Sequence, residues 1–273
     1  MACINDFSKK RILFIGNSFT FFGNCVNVST FDSIDNGYFN SLARAFCEDA
    51  IVTNFTLGGA SLIHKNNVVS DRALYWKLLA LHPIYYDNPQ GVEVEDFYRQ
   101  DVVVLQQSGD NIEQTYEDAK KIMQLFPPET KFGFYITTYD VFHRFEPSFE
   151  AARKIRDAGG VYIPLGHLVD DVINGRAKTF GGKLEYNKNS FVVCRKHDTF
   201  HPNTLTGYLT ALCTYCAFTG RDVSEAEHSF VKAMDDEFYA LGESNHRQIL
   251  ESEDEMRALK RLVFSYCREY NNL

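Results

Sequence analysis

The chain has 273 residues, and its 28 basic against 36 acidic residues give a formal net charge of −8. This acidic balance argues against a nucleic-acid partner, which usually requires a basic face. Hydrophobic residues make up 45% of the chain and charged residues 23%, an ordinary balance for a globular protein that can bury a sizeable core. Because we find no repeat, low-complexity tract or linker, we predict one domain over residues 1–273.

Five short apolar runs, taken in chain order, have the length and the residue types of β-strands. They cover residues 12–15, 51–56, 102–105, 132–136 and 161–163. Longer stretches with helical periodicity lie between them, at residues 38–47, 71–81, 116–126 and 149–158. Strands that alternate with helices form βαβ units. We therefore predict an α/β fold, a three-layer α/β/α sandwich around a five-stranded parallel sheet.

The last third of the chain reads as helical. Residues 201–218 predict a helix that Pro202 opens, because proline is tolerated at the first helical position. Residues 254–270 predict an amphipathic helix with acidic residues at its start and basic residues later.

Membrane, metal and disulfide patterns are absent from the sequence. No segment approaches the roughly 20 apolar residues that cross a bilayer, and residues 1–10 lack an apolar signal core. We therefore expect a cytoplasmic protein without a membrane partner, although secretion stays open if a leader was removed. The seven cysteines do not form a disulfide framework, and we interpret the Cys213/Cys216 pair as core residues of a helix. No zinc or phosphate-loop motif occurs, so we expect no metal and no cofactor.

A serine follows the first predicted strand, in the segment Gly16-Asn17-Ser18-Phe19-Thr20. In an open parallel sheet, ligands bind beyond the carboxyl ends of the strands, which makes Ser18 well placed for chemistry. On this motif alone, an ordinary turn is an equal alternative.

An Asp-x-x-His motif precedes the last third of the chain, with Asp198 three residues before His201. Such a pair can place both side chains on one side of a loop. His201 could then take the proton of a serine while Asp198 holds its ring in the required tautomer. The alternative is a helix N-terminus with a capping aspartate and an incidental histidine.

Together these motifs resemble the SGNH, or GDSL-like, hydrolase family. That family carries a Gly-x-Ser after strand one, a Gly after strand two, a polar amide after strand three and an Asp-x-x-His before the last helix. The chain offers, in this order, Gly16-Asn17-Ser18, Gly58-Gly59, Gln106-Gln107 and Asp198-Thr199-Phe200-His201. The resemblance runs from about residue 11 to residue 220 and implies the flavodoxin-like α/β/α fold of SGNH hydrolases. It departs from the family in the first block, which reads GNSFT, and after strand three, where glutamines replace a clean Gly-x-Asn-Asp.

The resemblance also implies residue roles. Ser18 is then the nucleophile, His201 its base and Asp198 the residue that orients the base. The N–H groups of Ser18 and Gly59 and the side-chain amide of Gln106 form the oxyanion hole, with Gln107 and Asn111 as alternates for the third donor. Residues expected near the substrate pocket are Asn17, Phe22, His64, Tyr139, Phe142 and His143.

The implied activity is a serine ester hydrolase that removes small O-acyl groups, acetyl foremost. Its partner is then a small-molecule acyl ester, and an acylated carbohydrate is one candidate. Lipase or lysophospholipase activity and a non-catalytic binding protein on the same fold remain alternatives. A nucleotide-binding flavodoxin-like domain fits less well, because Phe19, Phe21 and Phe22 make the first loop bulky and apolar.

Overall fold

Five parallel strands form the central sheet of the molecule. The computed structural model describes residues 3–26, 37–80, 97–108, 113–193, 198–231 and 244–273. The strands in these ranges are β1 (Arg11–Gly16), β2 (Ile51–Thr56), β3 (His64–Lys65), β4 (Val68–Val69), β5 (Val102–Leu105), β6 (Lys131–Tyr135) and β7 (Val161–Ile163). The sheet has the order β2-β1-β5-β6-β7, and β3 pairs with β4 as a separate small hairpin.

The described helices lie mostly between and after these strands. They are α1 (Ser18–Phe21), α2 (Tyr38–Ala45), α3 (Leu74–Ala80), α4 (Thr115–Met123), α5 (Thr138–His143), α6 (Glu146–Asp157), α7 (Leu165–Ile173), α8 (Thr204–Thr219), α9 (His246–Glu251) and α10 (Glu253–Asn271). Short 3₁₀ turns cover Phe22–Asn24 and Lys188–Ser190. None of the helices in the described part of the chain combines the length and the apolar character needed to span a membrane.

Two apolar layers enclose the sheet, because successive side chains of each strand point to opposite faces. Ile12 and Phe14 of β1 belong to one core, which α2, α7, α8 and α10 cover. Leu13 and Ile15 belong to the other core, which α3, α4 and α6 cover. The prediction of an α/β/α sandwich around a five-stranded parallel sheet is therefore confirmed. Strands buried on both faces explain why they appear in the sequence as continuous apolar runs.

The strand order places a binding crevice at the carboxyl end of β1. Strand β1 pairs with β2 on one side and with β5 on the other, so the chain winds outward in two directions from this point. In doubly wound sheets, such a switch point opens a crevice beyond the strand ends. The segments that follow β1 and β5 both meet there.

The helix predicted at residues 201–218 begins later than expected. Asn203 is the N-cap of α8, and its side-chain oxygen accepts a hydrogen bond from the N–H of Thr206 at 3.1 Å. Pro202 therefore lies before the helix and forms an isolated β-bridge with Val192. This correction matters for the site, because His201 lies on a loop and not on a helix.

Candidate active site

Ser18, His201 and Asp198 form a continuous chain of hydrogen bonds. Nε2 of His201 lies 2.8 Å from Oγ of Ser18. Nδ1 of the same ring lies 2.9 Å from Oδ2 of Asp198. The other oxygen of Asp198 accepts the backbone N–H of His201 at 3.2 Å. The geometry thus brings together the three residues that the sequence predicted, across 183 positions of chain between Ser18 and His201.

The loop that carries Ser18 is held by its neighbours on both sides. The side chain of Asn17 caps α1 by accepting the N–H of Phe19 at 3.1 Å. Its amide also donates to the carbonyl oxygen of Ala60 at 3.1 Å, which ties this loop to the segment after β2. From the segment after β5, the side-chain oxygen of Gln106 accepts the N–H of Asn17 and the hydroxyl of Thr20, each at 2.9 Å. The Ser18 loop is therefore anchored to the segments that follow β2 and β5.

The electrostatics of the pair favour an ionised aspartate. Burial acts to raise the pKa of Asp198, but the hydrogen bonds from the His201 ring and from backbone N–H groups outweigh it. These bonds hold the pKa of the carboxyl below its ordinary value. The negative charge and the hydrogen bond at Nδ1 both favour a His201 ring that carries its hydrogen on Nδ1 and leaves Nε2 free to accept.

Aromatic rings pack around His201. The ring of Phe22 stacks on it, with centroids 4.1 Å apart and an angle of 16° between the planes. Phe200 and Phe19 approach the same ring with centroid distances of 4.4 Å and 5.1 Å. These contacts restrict the imidazole to one orientation and limit its access to water, since only 16% of its side chain is exposed.

A cavity of about 310 Å³ opens over Ser18 and His201. Gly59 lies on its wall, with a backbone φ of +69° that L-residues other than glycine rarely adopt. A Cβ at Gly59 would have room, because its nearest neighbour would be an Arg72 nitrogen at 3.7 Å. The left-handed backbone, and not a lack of space for a side chain, therefore favours glycine at this position. Within the described residues, the backbone N–H groups of Ser18 and Gly59 donate no hydrogen bond.

The predicted role of Gln106 is not supported by its position. Its oxygen holds the Ser18 loop, and its Nε2 is buried away from solvent without a partner among the described residues. The alternate Gln107 is similar: its oxygen accepts the N–H of Leu62 at 2.5 Å and its Nε2 is also buried. Asn111 lies outside the described residues. The side chain after β5 that reaches the cavity is instead Ser108.

Of the six residues predicted near the pocket, two line it. Asn17 and Tyr139 belong to the cavity wall. The other four make contacts elsewhere: Phe22 stacks on His201, His64 pairs with buried Asp118 at 2.7 Å, Phe142 packs against the core, and the ring of His143 lies tilted against that of Tyr139. For these four, a place near the substrate stays a prediction, because a position at this edge of the sheet does not decide which side chains face inward.

Several cavity residues were not predicted. Among the described residues, the wall also contains Phe19, Ala60, Ser61, Lys65, Ser108 and Phe200. Phe200 could have been found, because it lies between Asp198 and His201 in the motif itself. Lys65 could not, since its position depends on the β3–β4 hairpin that folds over this edge. In the same described ranges, no group of three His, Cys, Asp or Glu side chains could hold a metal ion.

The fold and the site define a class: an α/β/α protein with a Ser–His–Asp hydrogen-bond chain at the carboxyl edge of a parallel sheet. No protein-family model matches the chain, and no curated protein matches it significantly. Several solved structures do match it. The chain is similar to a DUF4886 family protein from Bacteroides uniformis ATCC 8492, with 16% identity, 94% of this chain and 95% of that chain covered, and a TM-score of 0.50.

Two more distant structures are esterases by description. A carbohydrate esterase family 2 enzyme with a carbohydrate binding domain, from Corynascus thermopiles (Myceliophthora fergusii), has 12% identity over 78% of this chain and 66% of its own, with a TM-score of 0.45. A carbohydrate acetylesterase family member from Sinorhizobium meliloti has 14% identity over 78% of this chain and 100% of its own, with a TM-score of 0.39. At these identities the comparisons concern the fold.

Proposed function

We propose that this protein is a serine ester hydrolase that cleaves small O-acyl esters, acetyl esters foremost. The observation that carries the proposal is the hydrogen-bond chain from Ser18 through His201 to Asp198 at the floor of a cavity. An activated serine nucleophile requires a base within hydrogen-bond reach and a third group that orients the base. The SGNH resemblance of the sequence motifs agrees with this assignment.

The reaction follows from the geometry. His201 Nε2 takes the proton of Ser18 as Oγ attacks the ester carbonyl, and Asp198 stabilises the imidazolium that forms. The N–H groups of Ser18 and Gly59 donate to the negative oxygen of the tetrahedral intermediate. His201 then gives its proton to the leaving alcohol, which leaves an acyl group on Ser18. Water then attacks the acyl carbonyl while His201 takes its proton. The bond from the acyl group to Oγ breaks, His201 gives the proton to Oγ, and the carboxylic acid leaves.

The size of the cavity favours a small substrate. A volume of about 310 Å³ is at the lower end of the range of small-molecule sites, roughly 300–1,000 Å³. Its wall mixes hydroxyl and amide groups of Ser108 and Asn17 with the rings of Phe19, Tyr139 and Phe200. Such a wall suits a short acyl group on a polar alcohol, and our candidate substrate is an acylated carbohydrate, in which the sugar is that alcohol.

The first experiment compares hydrolysis of p-nitrophenyl acetate by the native protein, by Ser18→Ala and by Ser229→Ala, whose exposed serine lies outside the cavity. We expect Ser18→Ala to lower kcat by about 10⁴–10⁶-fold and Ser229→Ala to leave it unchanged. Turnover by Ser18→Ala at the native rate would reject the proposal.

A second measurement identifies the nucleophile directly. After treatment with a fluorophosphonate, peptide mass spectrometry should place the adduct on Ser18, and Ser18→Ala should carry none. Rates with p-nitrophenyl esters of two to eight acyl carbons should fall with length. A maximum at eight carbons would favour a lipase-type enzyme over the small-ester hydrolase proposed here.

A further inference from the structure

The hydroxyl of Ser108 lies at the outer end of a buried hydrogen-bond network. Ser108 is on the cavity wall, and its Oγ lies 3.1 Å from Oγ1 of Thr137. Oγ1 of Thr137 donates to Oδ2 of Asp140 at 2.7 Å. The same threonine oxygen accepts the backbone N–H of Asp140 at 3.1 Å, as part of the capping box of α5. Thr137 and Asp140 are fully buried.

The number of hydrogens in this network decides its direction. A hydroxyl group has one hydrogen to donate and can accept at two lone pairs. Thr137 donates its only hydrogen to Asp140, so its contact with Ser108 is a hydrogen bond that Ser108 donates. The hydrogen of Ser108 is therefore directed into the protein, and its oxygen, on a residue of the cavity wall, keeps a lone pair with which it can accept a hydrogen bond.

The direction is the same whether Asp140 is charged or neutral. Burial raises the pKa of Asp140 to about 7, although the hydrogen bonds that its carboxyl accepts from Thr137 and Ser148 act to lower it. Oδ2 accepts both the N–H and the hydroxyl of Thr137, so a proton on the carboxyl belongs on Oδ1. Oδ1 lies 3.1 Å from the Ser148 hydroxyl, which lies 3.3 Å from the carbonyl oxygen of Gln107. A neutral Asp140 can thus donate to Ser148, and Ser148 to Gln107, without disturbing Thr137.

We propose that Ser108 determines specificity by accepting a hydrogen bond from the substrate, so that the site prefers esters with a hydroxyl or N–H group next to the ester bond. This inference rests on the esterase function proposed above. An oxygen that acts only as an acceptor cannot stabilise an oxyanion, which needs donors. A substrate without a donor leaves this oxygen dehydrated and unpaired, and the enzyme discriminates against it.

The test uses pairs of esters that differ in one donor. We would measure kcat/KM at pH 8.5 for 2-hydroxyethyl acetate against 2-methoxyethyl acetate, and for p-nitrophenyl hydroxyacetate against p-nitrophenyl methoxyacetate. The ratio within each pair is compared between proteins, which cancels the intrinsic reactivity of the esters. The variants are Ser108→Ala and Thr137→Val. The matched control is Ser61→Ala, which removes a hydroxyl on the same wall whose oxygen is buried.

The ratio is kcat/KM for the ester with the hydroxyl group divided by kcat/KM for its methoxy partner. In at least one pair, we expect Ser108→Ala to lower this ratio by about 2–10-fold, the value of one hydrogen bond. Thr137→Val should lower it as well, because Ser108 can then turn its hydrogen into the cavity. Ser61→Ala should keep the native ratio. Thermal melting of each variant checks that it is folded, and Ser108→Ala alone decides the question if Thr137→Val is not.

Three results would overturn the proposal. A ratio in Ser108→Ala equal to the native ratio in both pairs would show that Ser108 accepts no hydrogen bond from the substrate. An equal loss of kcat for all four esters, with unchanged KM, would show that Ser108 donates to the transition state instead. Absence of any enzyme-dependent hydrolysis of p-nitrophenyl acetate would remove the esterase function itself, and this inference with it.

Discussion

Gly207 of α8 and Gly23 of the turn after α1 lie in direct backbone contact. A Cβ on Gly207 would overlap the carbonyl oxygen of Gly23, and a Cβ on Gly23 would overlap the carbonyl oxygen of Asn203. The contact sets the distance between the segment that follows Ser18 and the start of the helix that follows His201. It therefore helps to bring Ser18 and His201 together.

Gly207→Ala should disturb this contact and, with it, the active site. Overpacking in a close-packed interior typically costs about 1–3 kcal/mol, so we expect a lower melting temperature. We also expect kcat to fall at temperatures where the variant is still folded, because the Ser18 and His201 segments move apart. The control is Gly181→Ala, whose Cβ would meet no atom within 4 Å. Native stability and kcat in Gly207→Ala would contradict the prediction.

Gly59→Ala tests the oxyanion site, and Gly58→Ala, at the neighbouring glycine, is its control. The φ of +69° makes a side chain costly at this position, by about 1–2 kcal/mol for the left-handed conformation. Relief of that strain should turn the N–H of residue 59 away from the cavity, and loss of one donor lowers kcat by about 10²–10³-fold. Gly58→Ala should be tolerated, because its Cβ would only touch Phe21 at 3.9 Å. Comparable kcat values for the two variants would argue against a role for Gly59 N–H.

Asp198→Asn should leave the fold intact and lower kcat by about 10⁴-fold. The Asn oxygen can still accept the backbone N–H groups of Phe200 and His201, so its amide nitrogen faces the ring. His201 must then accept at Nδ1 and carry its hydrogen on Nε2, where it can no longer take the proton of Ser18. The control is Asp157→Asn, at an exposed aspartate on α6. A kcat within tenfold of the native value, with p-nitrophenyl acetate, would exclude Asp198 as the orienting residue.

Asp140 should make stability depend on pH. Its pKa in the folded state is raised to about 7, mainly by burial, whereas an unfolded aspartate titrates near ~3.9. Between these values the folded state binds more protons than the unfolded state, so the free energy of unfolding falls as pH rises. The contribution is fully present below the unfolded pKa and is lost as pH rises through about 7.

Urea unfolding of the native protein and of Asp140→Asn at pH 5, 6, 7 and 8 measures this effect. We expect the free energy of unfolding of the native protein, relative to the variant, to fall by up to about 1.4 kcal/mol per pH unit below pH 7 and to level off above it. The difference between the two proteins removes the contributions of other titrating groups. A difference that is independent of pH would show that Asp140 keeps the same charge throughout.

The sequence by itself determined the layers of the fold and was enough to predict the three residues of the hydrogen-bond chain. Strands buried on both faces must be continuous apolar runs, so all five were recognisable, and β2, β5 and β7 have the predicted bounds. Ser18, Asp198 and His201 were recognisable because a strand end and an Asp-x-x-His spacing are local features. The start of α8 was placed three residues too early, because Asn203 is the N-cap and Pro202 lies before the helix instead of at its first position.

Only the tertiary structure decided which side chains form the cavity. Gln106, Gln107 and Ser108 are consecutive polar residues after β5, yet two of them anchor neighbouring loops and one lines the wall. That choice depends on partners contributed by the segments after β1 and β2 and by the N-cap of α5, which are distant along the chain. Lys65 reaches the wall because the short strands β3 and β4 pair as a hairpin. Phe22 packs on His201 across 179 positions of sequence. The residue types and their spacing in the sequence indicate which groups can react. The orientation of each side chain depends on packing between segments that only the folded chain brings together.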